Sequence, residues 1–518
     1  MGRYLKQLAG SLGAYQVANI FSKVMAILLL PVYTGRIAPY GYGMVETLAT
    51  AVIFVSIVAR FGIIEAFLRY YFVTSDSSGR EFSESELKLR RDLLTGRAAA
   101  FLVVATTLVC IVLAFCAGPL SQLVTSRHDP GAFRVAVLGI WAFTNLELAQ
   151  AILRVDMRVR AYATVTLLNA AGTIALSVIL VVGLNKGWQG LLFANYAIST
   201  VVLLGLWFTL RKRLLSGLVQ GLKSLRPSPN NGADGDSGGE RWGTLLRFGL
   251  PTLPAEASVY ALSVIDRQYL IHHQGAAAAG RYAIAVKVAG AISFLVNAFQ
   301  YAWPPLAYSI TDDRQAARLY GLVTTYYLLI AGWVVAAVTL ESRYIIRFLA
   351  PHHSYYSSYL AIPWVSLGWA LYGLWVVLLV VAGRAKVTAR NFPAALVGLI
   401  CNVVLLLVLV PHYGIAGAGI ALAGAYVVML SVMYLLIRRA FEVDFEWRRL
   451  LHLLVVIGGL TVAGELLLPT HGLAGLVLRG AVVAVIAPVL WGTGFLHPAE
   501  LKRGLALITS ARRRLGAA

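Results

Sequence analysis

The sequence predicts an all-α integral membrane protein that crosses the bilayer many times, and three observations support this. Hydrophobic residues make up 59% of the 518 residues and charged residues only 13%, whereas about a quarter of the residues of a soluble domain are charged. The mean hydropathy is +0.75. The apolar residues form runs long enough to cross about 30 Å of hydrocarbon as helices, and short clusters of Lys and Arg separate the runs.

Fourteen such runs predict about fourteen transmembrane helices. The runs cover residues 11–34, 42–65, 97–117, 132–153, 161–183, 188–209, 246–271, 280–306, 317–340, 356–382, 392–410, 415–437, 450–468 and 474–496. Between the sixth and seventh runs lies a polar stretch with the composition of a flexible linker. We therefore predict two pseudo-repeated six-helix lobes plus a helix pair: an N-lobe at 1–215, a cytoplasmic linker at 216–244, a C-lobe at 245–440, and helices 13 and 14 with a basic tail at 441–518.

A repeated glycine motif indicates that the two lobes are related. Gly187-Trp-Gln-Gly190 and Gly414-Ile-Ala-Gly417 are each followed by Ala four residues later, and each lies between two apolar runs. Glycine permits a tight turn and a close approach of two helices. A weaker echo pairs Tyr40-Gly41-Tyr42-Gly43 with Ala279-Gly280-Arg281-Tyr282. Long-range repeats of this kind are typical of transporters built from two halves.

The distribution of positive charge predicts the orientation. Most of the 44 Lys and Arg residues fall in segments that are cytoplasmic if the N-terminus lies inside. This bias accounts for the net charge of +21, and the basic residues form no single aromatic-laced patch of the kind that binds nucleic acid. We expect both termini to be cytoplasmic and the protein to bind no nucleic acid.

Enzymatic and metal-dependent functions are disfavoured. The three cysteines lie inside apolar runs without a Cys-x-x-Cys spacing, and no His-Glu-x-x-His sequence occurs, so we expect no metal site. A phosphate-binding Gly-x-x-x-x-Gly-Lys-Ser/Thr loop is also missing, which argues against ATP hydrolysis by this chain. Asp312-Asp313 is better explained as a helix N-cap than as a metal site of a transferase. We predict a protein that is not an enzyme and uses no cofactor.

Polar residues within the apolar runs point to a binding site. Charged groups at mid-bilayer are costly and normally face the protein interior or a water-filled cavity. In four of the runs, polar residues recur at helical spacing and therefore lie on one face of the predicted helix. They are Gln16, Asn19 and Lys23 in the first run; Glu46, Thr50 and Arg60 in the second; Glu147, Gln150 and Arg154 in the fourth; and Glu256, Tyr260, Ser263 and Arg267 in the seventh. Asp266 is adjacent to the last of these stripes, and Lys287 lies in the eighth run. These stripes predict one shared hydrophilic cavity.

Purely structural roles for these residues are the alternative to a shared cavity. A polar stripe can serve only as hydrogen bonding between helices, and Glu46 or Asp266 can simply neutralise a nearby cation. Arg60, Glu65 and Arg154 lie near predicted cytoplasmic ends, where we expect their side chains to reach the headgroups. Arg479, near the outer end of the last run, is expected to be an interfacial anchor.

Four features of the sequence occur together: the hairpin at 402–421, the Asp266-Arg267 pair, the Gly280-Arg281-Tyr282 opening of the eighth run, and Leu30-Pro31-Val-Tyr-Thr34. In these features the chain resembles the polysaccharide flippase family, which includes the O-antigen (Wzx-type) flippases and belongs to the multidrug/oligosaccharidyl-lipid/polysaccharide exporter superfamily. The resemblance implies two lobes around a central cavity that opens alternately to either side of the cell membrane. It also implies a cargo of oligosaccharide linked to undecaprenyl diphosphate, for cell-surface polysaccharide, with polysaccharide polymerases as partners.

Within this hypothesis the intramembrane residues receive roles. Cations suit a diphosphate and polar groups suit sugar hydroxyls. The substrate-binding candidates are Lys23, Arg267 and Lys287 for the diphosphate, with Gln16, Asn19, Arg60 and Tyr260 as further cavity residues. The ion-pair or coupling candidates are Glu46, Glu147, Glu256 and Asp266. The energy source, a proton gradient, a sodium gradient or downstream use of the cargo, stays open.

Other functions of the same fold remain open at this stage. A lipid II flippase would typically carry an Arg-Asp pair in its first helix, where this chain reads Asn19-Ile-Phe-Ser-Lys23. A multidrug antiporter would need an essential acid, for which Glu46 or Glu147 could serve. Flippases of spore or teichoic-type polymers share the features above, and a non-transporting scaffold for polymer assembly would tolerate loss of every intramembrane charge.

Overall fold

The structure, a computed structural model, describes residues 21–22, 24–73, 81–223, 242–310 and 312–495. Within these residues the chain is helical and contains no strand, which confirms the predicted all-α membrane fold. The α-helices are α1 Leu30–Thr34, α2 Pro39–Ala59, α3 Ile63–Tyr71, α4 Glu84–Phe115, α5 Ala117–Thr125, α6 Pro130–Val155, α7 Val159–Val178, α8 Gly187–Lys223, α9 Trp242–Gly249, α10 Leu253–His273, α11 Ala276–Ala289, α12 Ile292–Ser309, α13 Asp313–Leu340, α14 Ser342–Leu349, α15 Ile362–Arg384, α16 Asn391–Ile437, α17 Trp447–Leu467 and α18 Gly472–Gly492.

Ten helices in the described part of the chain are long and apolar enough to span a membrane, or eleven if the bent pair α11–α12 forms one span. The protein is therefore a multi-pass membrane protein, while the count of fourteen is not confirmed. Most of the predicted first run lies outside the described residues. The eleventh and twelfth runs lie in one helical stretch, Thr388–Ile437, and the eighth is bent by 51° between α11 and α12.

The first glycine of each copy of the motif has a positive φ. Gly187 has a φ of 57° and Gly414 a φ of 56°, a left-handed region that disfavours residues with a Cβ atom. At Gly414 the ψ of −132° interrupts α16 and separates its two apolar halves. A Cβ atom on Gly417 would overlap the carbonyl oxygen of Leu409, so the two halves approach as closely as the motif predicts.

Side-chain caps fix the starts of several helices. Ser83 and Glu86 form a capping box at α4, with the Glu86 amide donating to Ser83 Oγ at 3.3 Å. Asp129 caps α6 by accepting from the amide of Ala132 at 3.0 Å. Asp312 caps α13 in the same way, which confirms its predicted role at a helix N-terminus.

The described residues up to Ile284, together with Leu349–Tyr355, form one compact unit, the first unit. One apolar core of this unit contains Phe67, Leu102, Ile152 and Leu203, each at most 1% exposed. Because α9, α10 and the start of α11 pack on α2 and α3, they belong to this unit although they follow the predicted linker. The division into two pseudo-repeated six-helix lobes on either side of that linker stays a prediction.

The other described residues, from Ala285 to Phe348 and from Tyr356 onward, form the second unit. In it, Arg479 on α18 is 0% exposed. Its guanidinium lies 2.6 Å from Glu465 Oε1 and donates to the carbonyl oxygen of Leu340 at 2.9 Å. The prediction of an interfacial anchor was therefore wrong, because the side chain turns inward to a carboxylate and joins α18 to α17 and the end of α13.

Candidate functional site

The predicted polar stripes of the second and seventh runs face each other in the first unit. Arg267 Nη1 on α10 lies 3.5 Å from Glu46 Oε2 on α2 and donates to Thr50 Oγ1 at 3.3 Å. The hydroxyl of Tyr260 donates to the carbonyl oxygen of Thr50 at 3.2 Å. Farther along, Glu256 at the start of α10 pairs with Arg60 after the end of α2, so the two helices run antiparallel with their polar sides in contact.

Arg60 is the most heavily paired cation of this surface. Its Nη1 lies 2.8 Å from Glu147 Oε1 on α6, and its Nη2 lies 3.5 Å from Glu65 Oε1 on α3 and also pairs with Glu256. The Arg60 side chain is only 5% exposed. The expectation that it reaches the headgroups was wrong, because three carboxylates from three helices enclose the guanidinium. We call these four residues the Arg60 cluster.

A local break in the chain makes this cluster possible. Phe61 and Gly62 both adopt left-handed conformations, with φ of 49° and 68°, and they end α2 and begin α3. The break turns α3 so that Glu65 returns to Arg60, a contact that a continuous helix would not make between residues five apart. A Cβ atom on Gly62 would overlap the backbone of Gly249 on α9, so glycine is also needed for helix packing here.

Tyrosines complete the polar surface between the helices. Tyr42 donates a hydrogen bond to Glu46. Tyr282 on α11 donates to Asp266 Oδ2 at 2.7 Å, and Asp266 is 1% exposed. The buried position of Asp266 and its contact with Tyr282 favour a structural role for this carboxylate in this conformation.

The glutamates of the Arg60 cluster are more accessible than its arginine. Their side chains are 32%, 32% and 35% exposed for Glu65, Glu147 and Glu256. Because ionisable groups at membrane depth normally face the protein interior or a water-filled cavity, we interpret these partly exposed carboxylates as facing water. The positions of Glu46 and Arg60 differ by fourteen residues along α2, about 21 Å at 1.5 Å per residue. The polar surface therefore follows the helix through much of a membrane's thickness.

Four of the predicted site residues cannot be assigned to this surface from the described part of the first unit. Gln16, Asn19 and Lys23 lie outside the described residues. Lys287, on α11, is half-buried and belongs to the second unit. Arg154 at the end of α6 is exposed, and its contact with the headgroups stays a prediction.

Sequence reasoning missed some contributors. Glu65 was expected only near the membrane face, and Tyr42 had no predicted role, because neither follows a helical stripe shared with its partner. The Gly-x-Tyr opening that contains Tyr282 was noticed as a motif, but its spacing gives no sign of a bond to Asp266. In the described parts of the chain, no group of three or more His, Cys, Asp or Glu residues is arranged to hold a metal ion.

An open pocket of about 840 Å³ lies elsewhere in the first unit, where α3, α4 and α6 meet. Its lining mixes cations such as Lys88 and Arg91 with acids such as Asp92 and Asp156. The hydroxyl of Tyr71 donates to Asp156 Oδ1 at 2.6 Å, and Arg91 Nε donates to the carbonyl oxygen of Tyr71 at 3.3 Å. These contacts tie the ends of the helices together, and the mixed charges favour no single ligand.

The fold is similar to those of known transporters. The lipid II flippase MurJ in an inward closed conformation aligns with a TM-score of 0.69 at 14% identity, over 92% of this chain and 99% of that one. An inward-facing multidrug resistance MATE family transporter of the MOP superfamily aligns with a TM-score of 0.60 at 14% identity, over 82% and 93% of the two chains. A MATE transporter of Vibrio cholerae gives 0.54 at 15% identity, over 84% and 96%.

These identities show a shared fold alone, and comparison with curated protein sequences gives no match. The family is shown by the sequence itself, since residues 9–311, more than half of the chain, match the profile of a family described as polysaccharide biosynthesis protein. The predicted resemblance to polysaccharide flippases is confirmed at this level. The chain belongs to the polysaccharide biosynthesis protein family, and it has the fold of MurJ and the MATE transporters.

Proposed function

We propose that this protein is a flippase that moves a lipid-linked oligosaccharide across the cell membrane for cell-surface polysaccharide synthesis. The observation that carries the proposal is the pair of facing polar stripes on α2 and α10, in a multi-pass member of a polysaccharide biosynthesis family. Intramembrane charges are costly and mark a path for a polar cargo. Sugars and a diphosphate are such a cargo.

The proposed mechanism is alternating access, in which two six-helix lobes open the cavity first to the cytoplasm and then to the outside. Lys23, Arg267 and Lys287 are the proposed contacts of the diphosphate. Arg267 already pairs with Glu46 at 3.5 Å, so an entering diphosphate competes with that carboxylate for the guanidinium. This competition couples cargo binding to a rearrangement between α2 and α10, which is what a transport cycle requires.

A proton or sodium gradient is the proposed energy source, with Glu46, Glu147, Glu256 and Asp266 as candidate coupling groups. Polysaccharide polymerases are the proposed partners that consume the cargo on the outer side. Both termini are proposed to be cytoplasmic.

Polymer export in cells tests this function. The variants Lys23→Ala, Arg267→Ala and Lys287→Ala are expected to lose at least tenfold of surface polymer and to accumulate lipid-linked oligosaccharide inside. Arg154→Ala serves as the matched control, because Arg154 is an exposed cation outside the proposed cavity. The level of each variant in the membrane is measured in parallel. Normal export by all three variants at normal protein levels would contradict the role proposed for these cations.

The second candidate is a cation-coupled multidrug antiporter, and the Arg60 cluster favours it. This cluster places three carboxylates around one cation, and an antiporter needs an essential intramembrane acid. If Glu147→Gln or Glu256→Gln abolishes resistance to cationic drugs while polymer export is unaffected, the antiporter is correct.

A lipid II flippase, the third candidate, would restore growth of cells depleted of their own lipid II flippase. A scaffold would keep its function in all of these variants.

A further inference from the structure

The charges that meet between α2 and its neighbours are unequal in number. In the part of the first unit that the structure describes, the cations of this surface are Arg60 and Arg267, and the carboxylates are Glu46, Glu65, Glu147, Glu256 and Asp266. Arg267 is balanced by Glu46. The imbalance is concentrated at the Arg60 cluster, where one guanidinium serves three glutamates.

In the Arg60 cluster, the negatively charged side chains are more exposed than the positively charged one. The Arg60 side chain is 5% exposed, whereas those of Glu65, Glu147 and Glu256 are 32% to 35% exposed. The cation lies behind the carboxylates, which use it as a buried counter-ion. Glu65 Oε2 is itself buried, so a molecule that enters beside this cluster meets the carboxylates of Glu147 and Glu256 and not the guanidinium.

Carboxylate oxygens select their ligands by charge and by hydrogen-bond donors. They accept hydrogen bonds from hydroxyl groups and pair with ammonium groups, and these bonds are shorter and stronger than those between neutral groups. They repel a second carboxylate, and the repulsion grows where the surroundings have a low dielectric constant. Placing like charges together is a common way to exclude a wrong partner.

We infer that the Arg60 cluster is a glycan-selecting surface, which accepts oligosaccharides made of neutral or amino sugars and discriminates against glycans that carry carboxylates. The inference rests on the proposed flippase function and adds the class of glycan to it. It does not concern the diphosphate, because Arg267, the described cation of the first unit proposed for that group, pairs with Glu46 and not with the cluster. Arg267 pairs about 21 Å along α2 from Arg60 at 1.5 Å per residue.

Transport of two matched cargoes tests this inference. The full-length protein is purified, reconstituted in phospholipid vesicles and supplied with an undecaprenyl-diphosphate oligosaccharide that ends either in glucose or in glucuronic acid. The initial rate of translocation is measured for each. We expect the glucose form to move at least tenfold faster, and a form ending in glucosamine to move at least as fast as the glucose form.

The double variant Glu147→Gln/Glu256→Gln removes two of the charges but keeps the side-chain shape. With no ion gradient imposed across the vesicles, so that the proposed coupling roles of Glu147 and Glu256 do not decide the outcome, we expect it to reduce the preference for the glucose form at least threefold. Glu84→Gln is the control, since Glu84 lies in the first turn of α4 and not in the Arg60 cluster, and it should keep the wild-type preference. Glu147→Asp, which keeps the charge, should also keep the preference.

The outcomes separate the two claims. Equal rates for the glucose and glucuronic acid forms in the wild-type protein, or faster movement of the acidic form, would overturn the inference and leave the flippase function standing. If neither form moves, the proposed function itself fails and the inference fails with it. A preference that is unchanged in a well-folded Glu147→Gln/Glu256→Gln protein would also overturn the inference, because the selection would then lie elsewhere.

Discussion

Arg60 shows how much of this site depends on single residues. Its guanidinium is shared by carboxylates from α3, α6 and α10 while the side chain itself is almost fully buried. Each glutamate relies on the same cation to offset the loss of water. The arginine therefore holds three helices together, and its removal would leave three carboxylates close to one another.

We predict that Arg60→Ala destabilises the protein by about 1–3 kcal/mol, because it leaves three partly exposed carboxylates close together without their shared hydrogen-bond donor. The midpoint of thermal unfolding in detergent is the measurement. Arg60→Lys should recover only part of the loss, because an ammonium group is a compact charge and not a planar donor that can serve several carboxylates. Arg154→Ala, an exposed cation of the same unit, should leave the midpoint unchanged. An Arg60→Ala protein as stable as wild type would show that the carboxylates do not need this cation.

The sequence predicts which polar residues share a helix face, but not which helices those residues contact. Helical spacing correctly placed Glu46, Thr50 and Arg60 on one side of α2 and Tyr260 and Arg267 on one side of α10. It could not predict which helices contact each other, so Arg60 was expected at the headgroups. The partner Glu65 depends on the left-handed break at Phe61 and Gly62, which the pattern of apolar residues does not reveal.

At the scale of elements, close backbone crossings determine how α2 packs. A Cβ atom on Gly43 of α2 would overlap the carbonyl oxygen of Ala276, and one on Gly280 of α11 would overlap the carbonyl oxygen of Pro39. The two contacts are reciprocal: Gly43 lies against the first turn of α11, and Gly280 lies against the first turn of α2. The echo between the sequences around Gly43 and Gly280 thus corresponds to a direct contact.

We predict that Gly43→Val and Gly280→Val each reduce the yield of folded, monodisperse protein at least fivefold. An added side chain must separate the two backbones, and overpacking costs about 1–3 kcal/mol or more. Size-exclusion chromatography of a fluorescent fusion measures the yield. Gly205→Ala on α8 is the control, because no atom lies within 4 Å of the added Cβ and alanine favours a helix. Wild-type yields for both valine variants would contradict the close crossing.

Some interruptions of the helices could be predicted from the sequence and others could not. Both glycine turns were predicted, because glycine is the residue that the left-handed conformations at Gly187 and Gly414 require. The bend of 51° between α11 and α12 was not, since no proline marks it and the run of apolar residues continues through it. Broken helices of this kind are why a count of apolar runs and a count of spanning helices disagree.

At the scale of the whole molecule, composition alone predicted a multi-pass membrane protein, and family and fold agree with it. Charge asymmetry further predicts the orientation. A cysteine introduced into the predicted linker at 226–239 should react with a membrane-permeant maleimide and not with an impermeant one added to intact cells. Labelling by the impermeant reagent in intact cells would reverse the predicted topology. A cysteine in the predicted outer loop at 127–129 is the matched position and should react with both reagents.

The glycan and the energy source could not be predicted from the sequence. Selection depends on which side chains meet in three dimensions, and the Arg60 cluster draws its members from α3, α6 and α10 as well as from the end of α2. The sequence showed the polar residues of each helix separately. The structure adds that in the Arg60 cluster the glutamate side chains are more exposed than the arginine.

The most direct test of the central claim is translocation of a lipid-linked oligosaccharide by the purified wild-type protein in vesicles with no other protein present. Accessibility of the glycan to an added glycosidase measures movement between leaflets. We predict that the protein raises the rate of this movement at least a hundredfold over protein-free vesicles, and that Arg267→Ala at the same protein density lowers it at least tenfold. A rate equal to that of protein-free vesicles, from protein that is folded and inserted, would contradict the flippase function.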